Sequence, residues 1–185
     1  KQDNSLKRLL NGRKLITYAP TWRSDGCAYD FDTLEVEKLN NFLIENNFVF
    51  GYAGHQYLRD RKVPALDSFI DLNSLEIDVQ IILRNTEVLI TDYSSIWIDF
   101  LLKEKPIIFF QYDKDDYKEE RGLLFDSSVI GIESVVLDVD MLIKAINIRG
   151  LDKKHEFLKD YFHAYKDGNN TMRTVSAIHN RINKC

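Results

Sequence analysis

Short, unbroken apolar runs alternate along this chain with segments whose apolar residues recur at helical spacing. "KLITYAP", Lys14–Pro20, is a run of the first kind, stopped by proline, and the turn-forming Ser24, Asp25 and Gly26 follow it. Behind the capping candidate Asp32, Leu34, Val36, Leu39, Phe42 and Leu43 predict a helix to about Glu45. "FVFGYAG" and "SFIDL" predict a second and third strand, "LEIDVQIILRN" a helix, and "EVLITD" a fourth strand of the wholly apolar kind found inside parallel sheets. "SSIWIDFLLKEK" then reads as helix, "KPIIFFQY" and "SVVLDV" as strands, and "DVDMLIKAINI" as helix. Strand and helix in alternation predict an α/β fold: a Rossmann-like parallel sheet with helices on both faces.

The last part of the chain, from about 152 to 185, reads as helices only. Phe157, Leu158, Tyr161, Phe162 and Tyr165 form one stripe, and Met172, Val175, Ile178 and Ile182 form a second one that the pattern turns inward. No repeat, low-complexity tract or long linker divides the chain, so a single domain is expected, with about 1–13 as a linker. The opening "KQDNSLKRLLNGRK" has neither an initiator Met nor a signal-like run, which leads us to expect a piece of a longer protein.

Composition narrows the function. The 185 residues are 44% hydrophobic, enough for a substantial core, and no apolar run approaches the length of a membrane span. Lysine plus arginine number 25 against 29 acids, a net charge of −4, so nucleic acid is not an expected partner and any anionic ligand must be held locally. Cys27 and Cys185 have neither metal spacing nor a disulfide framework, which suits the cytoplasm.

Candidate chemistry gathers where the apolar runs end. In open α/β sheets ligands bind beyond the carboxyl ends of strands, and "TDYSS" lies at such a place, ahead of a helix whose first N–H groups suit phosphate. Helix capping by Asp92, Ser94 or Ser95 also accounts for these residues, although neither serine is followed three positions later by Glu or Gln. Asp99, among Ile96, Trp97, Ile98, Phe100, Leu101 and Leu102, is expected in a helix buried nearly all round and needs a partner there, in a structural or site-supporting role. Arg23 follows the first strand and offers a bidentate fork to a phosphate or a carboxylate, and His55 follows the second strand at the same edge. The acids Asp113, Asp115 and Asp116 lack the calcium-loop pattern, and His155 and His163 fit no metal spacing. P-loop, dinucleotide and nucleophile-elbow motifs are missing.

Taken together, "ITYAPTWR", "VLITDYSSIWIDFLL", "KPIIFFQYDKDDYKEERGLLFD" and "DGNNTMRTV" resemble the CDP-glycerol glycerophosphotransferases that build teichoic acids and related capsule polymers, from about Leu15 to Ile182. The resemblance implies a GT-B fold of two Rossmann-like domains, of which this chain resembles the C-terminal, donor-binding one, with an N-terminal domain lying outside it. It implies that Ser94 and Ser95 hold the donor pyrophosphate, that Asp92 shapes the turn, and that Arg121, beside Gly122, is a cationic neighbour. His55 falls where the family has a catalytic histidine that supports departure of CMP, but Gln56 stands where proline commonly follows. The implied reaction is attack by an acceptor hydroxyl on the β-phosphorus of a CDP-alditol, with no cofactor or metal. The implied partners are CDP-glycerol or a related CDP-alditol, a polymer or glycolipid acceptor, and the inner face of the bacterial cell membrane, met peripherally through the full-length protein. A GT-B glycosyltransferase using a nucleotide sugar, and a non-catalytic module of a surface-polymer assembly, remain open beside this reading.

Overall fold

The apolar runs pair as a six-stranded, all-parallel sheet in the order β3-β2-β1-β4-β5-β6. The computed structural model describes residues 2–23, 29–54, 63–123, 135–148, 150–151 and 153–183. Its strands are β1 (Lys14–Ala19), β2 (Phe48–Tyr52), β3 (Phe69–Asp71), β4 (Thr86–Thr91), β5 (Ile107–Phe110) and β6 (Val135–Val136). The order reverses between β1 and β4, which pair with Ile16 beside Val88 and Ala19 beside Thr91. The expected Rossmann-like α/β architecture is present.

The helices are α1 (Gln2–Leu10), α2 (Thr33–Glu45), α3 (Val79–Asn85), α4 (Ile96–Phe100), α5 (Lys114–Arg121), α6 (Val139–Ile148), α7 (His155–Phe162) and α8 (Asn170–Ile182). Because strand side chains alternate, each strand feeds two cores. On one face Ile16, Tyr18, Phe50, Val88, Ile90, Ile108 and Phe110 pack with Leu39 and Leu43 of α2 and Leu142 and Ile146 of α6. On the other, Leu15 and Val49 meet α1 and Ile82 of α3, while Leu89, Ile107 and Phe109 meet α4 and Leu158 of α7. Gly51 lies on this second face, where a Cβ would come within 2.6 Å of Leu72 and 2.8 Å of Leu15, so only glycine lets these leucines close over β2.

Asp32 starts α2 as expected: its carboxylate accepts the Glu35 N–H and Glu35 returns the bond, a complete capping box. Elsewhere the chain departs from its pattern. The first thirteen residues are not merely a linker, since α1 buries Leu6 and Leu10 against Leu15, Val49, Leu72 and Ile82. The single helix expected over 75–85 is replaced by a 3-10 turn at Leu72–Leu75, left-handed Glu76, and α3 capped by Asp78. The helix expected over 94–105 is the five-residue α4 followed by a 3-10 turn, Leu101–Lys103, closed by left-handed Glu104. Asp99 is exposed on α4 rather than enclosed, because so short a helix keeps one side open to water, and it needs no buried partner.

The tail divides the expected stripes. Leu158 is buried and Phe162 packs edge-on to Trp97 at 5.2 Å, whereas Phe157, Tyr161 and Tyr165 are exposed. Met172, Val175, Ile178 and Ile182 do not turn inward: α8 has no buried residue, and Ile182 is 69% exposed. Two histidines fix α7 instead. The Nε2–H groups of His155 and His163 donate to the carbonyls of Leu101 (3.0 Å) and Ile98 (2.7 Å), tying the tail to α4 and the turn after it.

Candidate functional site

A cleft of about 650 Å³ opens at the carboxyl ends of β1, β2 and β4, where the strand order reverses. Ala19, Pro20, Thr21 and Trp22 line it after β1, Ala53 and Gly54 after β2, Ser94 and Ile96 after β4, and Tyr117 and Arg121 from α5. Among the described residues lining it, Arg121 alone carries a charge. Its guanidinium carbon lies 4.0 Å from the centre of the Trp22 ring, and no described carboxylate pairs with it. The site is thus apolar on most of its surface and offers one cation with a few hydroxyl and amide groups, a composition suited to a small organic anion.

A buried polar frame holds these walls. The Asp92 carboxylate, 1% exposed at the end of β4, accepts the Thr21 N–H at 2.8 Å, the Thr21 hydroxyl, and the N–H of Tyr93 at 2.6 Å. It also pairs with Arg23 at 2.9 Å. Arg23 Nε and one Nη donate to the two oxygens of Asp113, at 2.7 and 3.1 Å, and the other Nη donates to the Thr21 carbonyl. The rings of Tyr93, Tyr112 and Tyr117 surround the same guanidinium at 4.8–5.6 Å, and Tyr93 stacks on Tyr117 at 3.9 Å. Burial works against the Arg23 charge, but the hydrogen bonds of Asp113 and the charge of Asp92 more than offset it and keep the group charged well above its ordinary range. Burial, reinforced by Asp113, likewise pushes the Tyr93 phenol far up; its hydroxyl donates to Asp113 at 2.9 Å.

The residues expected to bind phosphate therefore separate into two groups. Ser94 and Arg121 line the cleft. Arg23 does not offer a free fork, since its donors are engaged by Asp92, Asp113 and Thr21, and it acts as a strap between the β1 loop and α5. Asp92 shapes the turn. Ser95 is exposed, outside the lining, and makes no side-chain capping bond, while the Ser94 oxygen accepts the Ile96 N–H at 3.3 Å. Gly122 closes α5 with φ 72° and ψ 165°, a conformation reserved for glycine, and its N–H bonds to the Lys118 carbonyl. His55, Cys27 and Cys185 lie outside the described residues.

Trp22, Tyr93, Asp113 and Tyr117 are site residues that sequence reasoning missed. Asp113 is committed to Arg23 and Tyr93, partners distant in sequence, and no cluster of metal-ligating side chains occurs among the described residues. The acidic segment is helix α5, with Asp115 and Asp116 in its first turn and Lys118 and Arg121 in its last, each sign at the end its dipole favours.

Comparison with known proteins agrees with this architecture. The chain is 32% identical over 180 residues to the teichoic acid poly(ribitol-phosphate) polymerase of Bacillus spizizenii, covering 91% of this chain and 28% of that protein. It is 30% identical over 183 residues to the teichoic acid ribitol-phosphate polymerase TarK of Staphylococcus aureus, covering 94% of this chain and 35% of the relative. A solved variant of the wall teichoic acid polymerase TagF superposes with a TM-score of 0.74 at 24% identity, over 99% of this chain and 48% of that one. A second, after a soak with CDPG, gives 0.69 at 25%, over 99% and 48%. The chain thus spans about a third of the length of these curated relatives and about half of the solved chains. The model of CDP-glycerol:poly(glycerophosphate) glycerophosphotransferases matches residues 3–180, and the chain belongs to that family.

Proposed function

We propose that this chain is the donor-binding domain of a transferase that moves glycerol phosphate, or another alditol phosphate, from a CDP-activated donor to a cell-surface polymer. The observation that carries this reading is the cleft at the β1/β4 reversal, with Arg121, which no described carboxylate pairs, and the Ser94 hydroxyl in its lining. Family membership and a TagF relative soaked with CDPG support the choice of donor.

In this reading the donor pyrophosphate lies between Ser94 and Arg121, with the cytidine along the apolar wall of Pro20, Ile96 and Tyr117. Asp92 and Arg23 keep the two loops in register and touch no ligand. An acceptor hydroxyl, whose proton passes to a base of the facing domain, attacks the β-phosphorus, the bond to the bridging oxygen breaks, and CMP departs with the electron pair. His55, next in sequence to the lining residue Gly54, is the proposed group that supports that departure. Arg121 stabilises charge on the departing phosphate, so the domain contributes by positioning and electrostatics. The remainder of the full-length protein supplies the facing domain, the acceptor site and the peripheral contact with the inner membrane surface; among the described residues no helix is long and apolar enough to cross a membrane.

Titration calorimetry of the 185-residue chain with CDP-glycerol, CDP-ribitol, CMP and a UDP-sugar tests this reading. Binding confined to cytidine nucleotides is expected. A preference for the UDP-sugar replaces the donor with a nucleotide sugar, and a folded chain that takes no nucleotide overturns the reading.

A further inference from the structure

Two arginines stand at this end of the sheet, and their donors are in opposite states. Arg23 has its N–H groups bonded to Asp113 and the Thr21 carbonyl and its charge matched by Asp92 and Asp113, so it has no capacity for a ligand. Arg121 touches the Trp22 indole with its guanidinium carbon 4.0 Å from the ring centre, and its N–H groups meet no acceptor among the described residues. A guanidinium laid on an aromatic ring is attracted through its face, while its five N–H donors lie in its plane and point outward. Such a contact fixes the side chain without using any donor. A salt bridge in the same place would occupy the fork.

The indole is itself held. Pro20 fixes the backbone two residues before it, and the preceding residue, Thr21, is clamped through its N–H and hydroxyl by Asp92. The far end of α5 is anchored by Asp113, next to its first residue, to Arg23, next to Trp22. Helix α5 is therefore fastened to the β1 loop at both ends, by an ion pair at its start and by the Trp22–Arg121 contact at its finish.

We propose that Trp22 is a positioning residue for anion capture: its ring presets Arg121 so that the free edge of the guanidinium meets a phosphoanion in the cleft, the pyrophosphate of a nucleotide-activated donor. This rests on the donor-binding reading above. Without the ring, a long exposed arginine loses its preset geometry and must be ordered by the ligand, which weakens capture.

Calorimetry of the 185-residue chain with inorganic pyrophosphate and with CDP-glycerol tests the role. Trp22→Ala is expected to weaken both ligands about fivefold and Trp22→Phe by less, because tryptophan presents the strongest aromatic face to a cation. Arg121→Lys keeps the charge but loses the planar fork, and a comparable loss is expected. The deciding measurement is the double variant: once Arg121 is alanine, Trp22→Ala should weaken binding no further. Equal losses from Trp22→Ala with and without Arg121 overturn the role, since the indole would then act on the ligand directly. So does unchanged affinity in a folded Trp22→Ala protein. Should that variant not fold, the Trp22→Phe cycle with Arg121→Ala decides by the same criterion. A parent chain that binds neither ligand removes the donor reading and this role together, whereas a parent that binds with independent residue effects removes only the role of Trp22.

Discussion

Arg23 and Asp92 form an ion pair at 2.9 Å with side-chain exposures of 8% and 0%, joining the loop after β1 to the end of β4 across the reversal of strand order. Removing one partner of a buried pair leaves a charge without compensation, a loss that typically reaches about 3–5 kcal/mol. Asp92→Ala also deprives the Thr21 N–H and hydroxyl of their acceptor. Urea denaturation should show a loss in that range, with a smaller one for Asp92→Asn, whose carbonyl still accepts from Thr21. A change below about 1 kcal/mol for Asp92→Ala contradicts the strap.

Neighbouring serines should behave differently. The Ser94 oxygen accepts the Ile96 N–H and lines the cleft, while Ser95 is exposed and caps nothing with its side chain. Ser94→Ala is expected to lower stability by about 0.5–2 kcal/mol and to reduce the rise in melting temperature produced by CDP-glycerol. Ser95→Ala should change stability by less than about 0.5 kcal/mol. Equal effects on ligand-linked melting would refute this division.

Alkaline pH should unfold the domain through its tyrosines. Burial pushes up the phenols of Tyr18, Tyr29, Tyr93 and Tyr117, with Asp92, Glu35 and Asp113 adding to it at the first three. Each keeps its proton in the folded state at a pH where the unfolded chain has released it. Their contribution is therefore intact below about pH 10, the ordinary phenol value, and is lost as pH rises toward the folded values. Phenolate absorbance should show these groups ionising together with the loss of near-ultraviolet circular dichroism. Ionisation of all nine tyrosines near the ordinary value in a folded chain would contradict the burial.

Helix α8 should be dispensable for the stability of the rest. Among the described residues it buries no side chain, and Arg173 ties it to the adjoining segment through Asp167 and the ring of Tyr165 at 4.0 Å. A chain ending at Gly168 is expected to melt within about 2 °C of the parent by circular dichroism, as distant surface changes do. A fall of several degrees would mean that the apolar row is covered in solution.

The central strands were legible because a parallel strand buried on both faces is apolar along nearly all its length, as Leu15–Ala19, with Thr17 its one polar residue, and Val88–Ile90 are. Helix α2 was legible from its cap and its Leu39 and Leu43 repeat. Helix α1 was not, since two buried leucines in a polar stretch are too weak a period, and α5 was not, since it buries nothing and is held by its charges. In α8 the spacing identified an apolar side correctly but carries no information about whether anything covers it. The site divided along the same line. "TDYSS" stood out locally, whereas the commitment of Arg23 to Asp113, 90 residues away, exists only once β1, β4 and β5 lie side by side.

That distance has a consequence for how the molecule matures. During synthesis, Thr21 and Arg23 emerge long before Asp92, which comes 71 residues after Thr21, so one lip of the cleft exists without its counterpart until the middle strands zip together. Pairings this far apart in sequence are slow to form. A half-assembled chain accordingly has one lip of the cleft and not the other.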